Sequence, residues 1–268
     1  MRNWVILAAV LLFFGFSLFQ ASWLAPLPTG KPLLLAAKGA EPTRDRDGCA
    51  TGPSGTDVGA LAMAVGNEAD ALHVALENQG GQLVIARQYE SNCASDKGRG
   101  RAGLAEATYA LSKPHLFFRA KGAGQAEMLL GALPADPDGA KYSLIGDEAA
   151  VAAFRKERPK SAAFTVAEAR VCASDYKLSG LWGAMPESCK QGTMLLTVDE
   201  TGYTLWGWPN RFLARTAEAG VKVMIAESVD GETIKGLTDV NRYGDIANSF
   251  NGHIWIEDIA ELGPALKR

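Results

Sequence analysis

The chain has 268 residues, of which 47% are hydrophobic and 21% charged, with a formal net charge of −3. This balance excludes global disorder and supplies no basic face, so no nucleic-acid partner is expected. Three histidines, His73, His115 and His253, are few for a His-based metalloenzyme.

From Trp4 to Phe19 the sequence is apolar, broken only by Gly15 and Ser17, and Gln20 to Ala25 extend it to Pro26. A bilayer span needs about 20 such residues. Arg2 precedes the stretch and no further Lys or Arg occurs before Lys31. That asymmetry predicts the N-terminus inside and the bulk of the chain outside. A cut after Ala21 would put the large Phe19 at the minus-three position, so residues 1–26 are expected to be an uncleaved anchor; a cleaved signal peptide is the alternative.

Residues 27–32 are a Pro/Gly linker, and the remainder, 33–268, forms one domain. Leu33 to Ala37 is an apolar strand of the kind a parallel sheet buries on both faces. Asp57 is placed to cap a helix over 58–67. Strands follow at 71–76 and 82–87, a short helix at 104–111, a strand at 116–120 and a helix at 124–133. Tyr142 to Ile145 is a strand, and Asp147 caps a helix to about Arg158. Further strands are expected at 162–166, 194–198, 221–226 and 253–256, with helices at 211–220 and 233–237. Steady strand–helix alternation predicts an α/β protein with a parallel sheet, best a (β/α)₈ TIM barrel, with a doubly wound sheet as the runner-up.

Cys49, Cys93, Cys172 and Cys189 lack zinc-site spacing and suit disulfides in an exported chain. Pairing neighbours in sequence gives Cys49–Cys93 and Cys172–Cys189.

Four stretches carry a family resemblance. They are Cys49-Ala-Thr51; Ala69 to Leu76 with Gly81 to Gln88; Tyr176 to Cys189 with Trp206-Gly-Trp-Pro209; and Gly252-His-Ile-Trp-Ile-Glu257. Together the chain resembles a divergent bacterial glycerophosphodiester phosphodiesterase, which implies a (β/α)₈ barrel of the phospholipase-C-like type. The same resemblance implies missing chemistry. The family's His-Arg-Gly falls on Ala37-Lys38-Gly39, its Glu-Asn-Thr on Gly55-Thr56-Asp57, its metal-binding Glu-x-Asp on His73-Val74-Ala75, and its second His-Asp on Arg87-Gln88.

Proton transfer to and from a phosphodiester needs two titrating groups; Ala37 cannot titrate and Arg87 stays protonated. Hard Mg²⁺ or Ca²⁺, the family's cofactor, wants carboxylate oxygens that Ala75 lacks. No catalytic or metal residue and no cofactor is therefore assigned. Lys38, Arg87 and Lys121 end strands at one mouth and, with Glu257, form the candidate ligand site, suited to a phosphate-bearing small molecule. The expected protein is an inner-membrane, single-pass pseudoenzyme with its barrel in the periplasm, or secreted if the leader is cleaved. An envelope protein is the other candidate partner, and an active phosphodiesterase of lipid metabolism with a rearranged site is the alternative activity. His73 is expected to be a core histidine, and Trp206, Trp208 and Trp255 chiefly packing residues.

Overall fold

The computed structural model describes residues 11, 15–39, 58–86, 103–202 and 204–266. Strand β1 (Leu33–Ala36) is followed by α1 (Val58–Gly66), β2 (Ala71–Gln79), β3 (Gln82–Ile85) and α2 (Leu104–Ala110). Next come β4 (His115–Ala120), α3 (Gly122–Ala132), β5 (Tyr142–Gly146), α4 (Glu148–Glu157), β6 (Ala163–Phe164) and α5 (Val166–Ser179). The chain continues through β7 (Thr193–Thr197), α6 (Asn210–Glu218), β8 (Lys222–Ala226), the hairpin β9 (Ser228–Asp230) and β10 (Thr233–Lys235), α7 (Val240–Gly244), β11 (His253–Ile256) and α8 (Ile259–Ala265).

Eight strands lie parallel in the order β6-β5-β4-β2-β1-β11-β8-β7. Apart from the β3 branch and the hairpin, chain order is spatial order, as in a TIM barrel. Among the described residues no ladder joins β6 to β7, so the barrel is nearly closed. β3 is an antiparallel branch on β2, with Leu76 opposite Ile85.

Strand periodicity sorts the side chains into two layers. Leu35, Phe117, Ile145, Phe164, Leu195, Met224 and Trp255 fill the barrel interior. Their neighbours Leu34, Phe118, Leu144, Met194, Leu196 and Ile254 pack under the helices. Each fully buried side chain of this kind stabilises by about 1.5–3 kcal/mol. Trp255 belongs to the interior, whereas Trp206 and Trp208 pack against the outer layer. All three are packing residues.

One expectation needs correcting, and one element was missed. Thr233 to Leu237 is not a helix: Thr233–Lys235 pairs antiparallel with Ser228–Asp230. The β-branched Thr233 and Ile234 suit a strand, and Gly231 supplies the left-handed turn with φ +54°. The longest described helix, α5, was also not anticipated. Thr165 and Glu168 form a reciprocal capping box at its start, and Cys172 and Tyr176 bury on its inner side. The Cys172–Cys189 disulfide is present, with a Cα–Cα distance of 4.7 Å, and ties α5 to the 3₁₀ turn before β7. Cys49 and Cys93 lie outside the described residues.

Residues 15–20 are helical and lie against the outside of the barrel. Gln20 Nε2 donates to the carbonyls of Gly180 and Leu181, at 3.1 and 2.7 Å. Arg215 donates to Gln20 Oε1 at 3.0 Å, and the backbone N–H of Asn210 to Ser22 Oγ at 2.8 Å. Among the described residues no helix is long and apolar enough to cross a membrane.

Candidate functional site

In a parallel barrel the C-terminal strand ends carry the loops that bind ligands. Here that end divides into two parts. On the β1–β11 side, Lys38 and Glu257 leave adjacent strands and meet, with Nζ 3.7 Å from Oε1. Glu257 Oε2 also accepts the Gly236 N–H at 3.1 Å. A Cβ on Gly236 would lie 2.3 Å from the Glu257 backbone N, so the chain leaving β10 rests directly on the end of β11. Leu237 completes the join, its N–H donating to the Trp255 carbonyl at 2.8 Å and its own carbonyl accepting from the Glu257 N–H at 2.9 Å.

The hairpin thereby covers part of the mouth. Ile234 is 8% exposed and joins the interior cluster, with Val229 packed against the same cluster. Further around the rim, Arg242 bonds to Glu227, Asp199 and Asp245. Arg170 and Lys177 both bond to Glu200. Burial pushes the Glu200 carboxyl up, but these two cations and the Thr197 N–H outweigh it and hold its pKa at about 2.

On the β2–β4–β5 side the mouth stays open. The period-2 alternation that turns Phe117 inward also turns Arg119 to the same face, one layer nearer the mouth. Arg119 donates to the Glu232 carbonyl in the hairpin turn at 2.8 Å, its one hydrogen bond among the described residues. Lys121 follows β4 as the residue before α3. Its backbone N–H is held by Gln125 Oε1, and Gln125 in turn donates to the Leu76 carbonyl at 3.1 Å. Gly122, at φ +73°, turns the chain into α3 and donates to Asp147 Oδ2 at 2.8 Å.

Arg119 and Lys121 together line two clefts. One, of about 460 Å³, is completed by Ala75, Glu77, Asn78 and Gln125. The other, of about 350 Å³, is completed by Gly146, Asp147, Glu148, Thr165 and Glu232. Thus Lys38 and Glu257 are brought together and Lys121 is brought to Arg119, while Arg87 and Gln88 lie outside the described residues. Arg119 and Glu77 were missed from sequence. Both were legible as inward positions of their strands, two residues beyond Phe117 and Ala75.

The strand ends themselves carry little reactive chemistry. The Ala37 carbonyl can only accept, so His73 Nδ1, 3.0 Å away, donates to it. Burial foremost, with the charge of Arg119 adding and the Ala37 bond opposing, lowers the His73 pKa to about 4. His73 is therefore neutral at pH 7 and its ring packs on Trp255 at 5.0 Å between centroids. A hard divalent cation at His73 and Ala75 would find one imidazole whose Nδ1 is engaged, no carboxylate, and Arg119 close by. These residues do not fit such an ion.

The opposite end of the barrel holds the other two histidines. His115 Nε2 and Ser143 Oγ are 2.8 Å apart, and the His115 and His253 rings are 6.0 Å apart, edge to face. His253 is buried and its Nε2 has no hydrogen-bond partner among the described residues. Burial, the neighbouring ring and Lys222 lower the His115 pKa to about 3; burial and Lys222 lower that of His253 to about 4. A cavity of about 310 Å³ with mostly apolar walls opens beside them.

No family model and no curated protein matches the sequence. Solved structures do match the fold. A glycerophosphodiester phosphodiesterase from Agrobacterium tumefaciens superposes with a TM-score of 0.55 at 13% identity, over 87% of this chain and 99% of that one. The glycerophosphoryl diester phosphodiesterase domain of an uncharacterized Mycobacterium tuberculosis protein gives 0.60 at 11% identity, over 89% and 100%. The fold is that of the glycerophosphodiester phosphodiesterases. The (β/α)₈ barrel is the fold that the sequence resemblance implied.

Proposed function

We propose that this protein is a membrane-anchored, extracytoplasmic relative of the glycerophosphodiester phosphodiesterases that has lost hydrolysis and binds a phosphate-bearing ligand. The observation that carries the reading is the cleft holding Arg119 and Lys121 beside Ala75, a cationic pair with Glu77 as the one carboxylate among its described lining residues. Guanidinium and ammonium groups give charge-assisted hydrogen bonds to phosphate oxygens without a metal. Lys121 makes no ion pair among the described residues, and Arg119 uses one donor on Glu232. The N-terminus of α3 adds a favourable dipole. Glu77 and Asn78 give the same cleft a polar wall, which suits a polyol phosphate such as glycerol 3-phosphate.

Catalysis by the family's route has no support in these side chains. Ala37 carries no titrating group, and His73 is held neutral with Nδ1 committed to a carbonyl. The test is turnover of glycerophosphodiesters with Mg²⁺ or Ca²⁺ added. None is expected. Turnover that survives EDTA and disappears in Lys121→Ala would replace this reading with an active, metal-free phosphodiesterase. A scaffold role for an envelope complex is favoured by one feature, the hairpin that seals the β1–β11 half of the mouth. It would be preferred if polyol phosphates do not bind.

A further inference from the structure

The barrel interior is apolar along most of its length and turns polar at its N-terminal end. Phe117, Ile145, Leu195, Met224 and Trp255 fill the interior. The period-2 alternation of a strand puts the residue two positions earlier on the same face. Those residues are His115, Ser143, Thr193, Lys222 and His253. Ser143, Thr193 and His253 are buried. Ser143 is engaged with His115. Thr193 Oγ1, like His253 Nε2, has no hydrogen-bond partner among the described residues.

Lys222 supplies the charge of this layer. With His115 and His253 it lines the cavity of about 310 Å³, and its charge bears on both imidazoles. Among the described residues the carboxylate that acts on Lys222 is that of Asp136. Its Oδ2 accepts the N–H groups of Lys141 and Tyr142, at 3.0 and 3.1 Å. No ion pair joins Asp136 to Lys222 among the described residues. Leu213, Val221 and Val223, all buried, give the same cavity an apolar wall.

These features select the ligand. A hard cation does not fit, because Lys222 would repel it and neither imidazole brings a carboxylate oxygen. One ammonium with neutral imidazoles and Asp136 close by suits a single negative charge and disfavours a dianion. A small cavity with apolar walls and a few polar groups suits an organic ligand with an apolar body and one charged end. We infer that this cavity binds a short-chain aliphatic monocarboxylate, its carboxylate beside the Lys222 ammonium and its alkyl chain against Leu213, Val221 and Val223. The site lies at the opposite end of the barrel from Arg119 and Lys121, so it stands independently of the phosphate reading.

Titration of the full chain, labelled with ¹⁵N-histidine, with hexanoate at pH 7 tests it. The chain has three histidines, and single His→Gln variants assign them. Hexanoate should shift the ring resonances of His115 and His253 in a saturable way and leave His73, at the other end of the barrel, in place. Lys222→Ala should weaken binding about tenfold or more, the order expected when a charge-assisted hydrogen bond is lost. Its unliganded histidine spectrum, still dispersed, would show that the fold is kept. Hexanol, with the same chain and no charge, should bind as weakly to wild type as hexanoate does to Lys222→Ala. No saturable shift, or equal shifts at all three histidines, would overturn the proposal. So would equal affinity for hexanoate and hexanol, which would make the cavity a purely apolar one, and so would inorganic sulfate binding as tightly as hexanoate.

Discussion

The two ends of the barrel handle polar groups in opposite ways. At the C-terminal end several charges of the described residues are paired within the rim: Lys38 with Glu257, Arg242 with three carboxylates, and Arg170 and Lys177 with Glu200. Among the described residues Arg119 and Lys121 make no ion pair, and both face open clefts. At the N-terminal end polar groups sit inside the core, and His115 and His253 are held neutral by burial. The contrast teaches that charge alone does not mark a site. A paired rim is structure, an enclosed neutral imidazole is packing, and a cation that faces a cleft without an ion pair is the place to look for a ligand.

The largest way to break this comparison is pH. Unfolded histidines take a proton near pH 6.5, whereas His73, His115 and His253 resist it until about pH 4, 3 and 4. Between those limits the unfolded chain binds more protons. Stability is therefore fully present above pH 6.5 and is lost as pH falls toward 4, by an amount on the order of 3 kcal/mol per histidine at most. Urea midpoints at pH 7 and pH 4.5 measure it, and His253→Gln should flatten part of the slope. A flat profile would mean that the N-terminal end is hydrated and not core.

A smaller effect concerns the hairpin. Ile234→Ala should cost about 2–4 kcal/mol, because its side chain completes the interior cluster at the mouth. A loss within 0.5 kcal/mol, about the scatter of surface substitutions, would show the hairpin to be a loose cover. The smallest effect belongs to the paired rim. Lys38→Ala should change stability by less than about 1 kcal/mol, since both partners are partly solvated. Polyol-phosphate affinity should be untouched by it. A tenfold loss would move the binding site to the β1–β11 side.

The barrel was legible because strand and helix periods alternate visibly from Leu33 onward and the parallel strands are apolar on both faces. The Cys172–Cys189 link was legible from proximity in sequence. The hairpin was not, since a run as short as Thr233–Lys235 carries no period and only its packing under Arg119 and over Trp255 gives it a role. Helix α5 was hidden by small and polar residues among its buried positions, although Thr165 and Glu168 marked its start. At the site, Lys121 was found because it follows a strand. Arg119 was overlooked inside one, and only the register of β4 beside Ala75 and Ile145 brings it to the mouth.

The central claim is that Arg119 and Lys121 hold a phosphate group, and calorimetric titration with sn-glycerol 3-phosphate tests it most directly. Wild-type protein should bind without added metal. Arg119→Ala should weaken binding about tenfold or more, equivalent to about 1.4 kcal/mol, with its urea midpoint unchanged. Equal binding by wild type and Arg119→Ala, or binding that requires Mg²⁺ or Ca²⁺, would contradict the account.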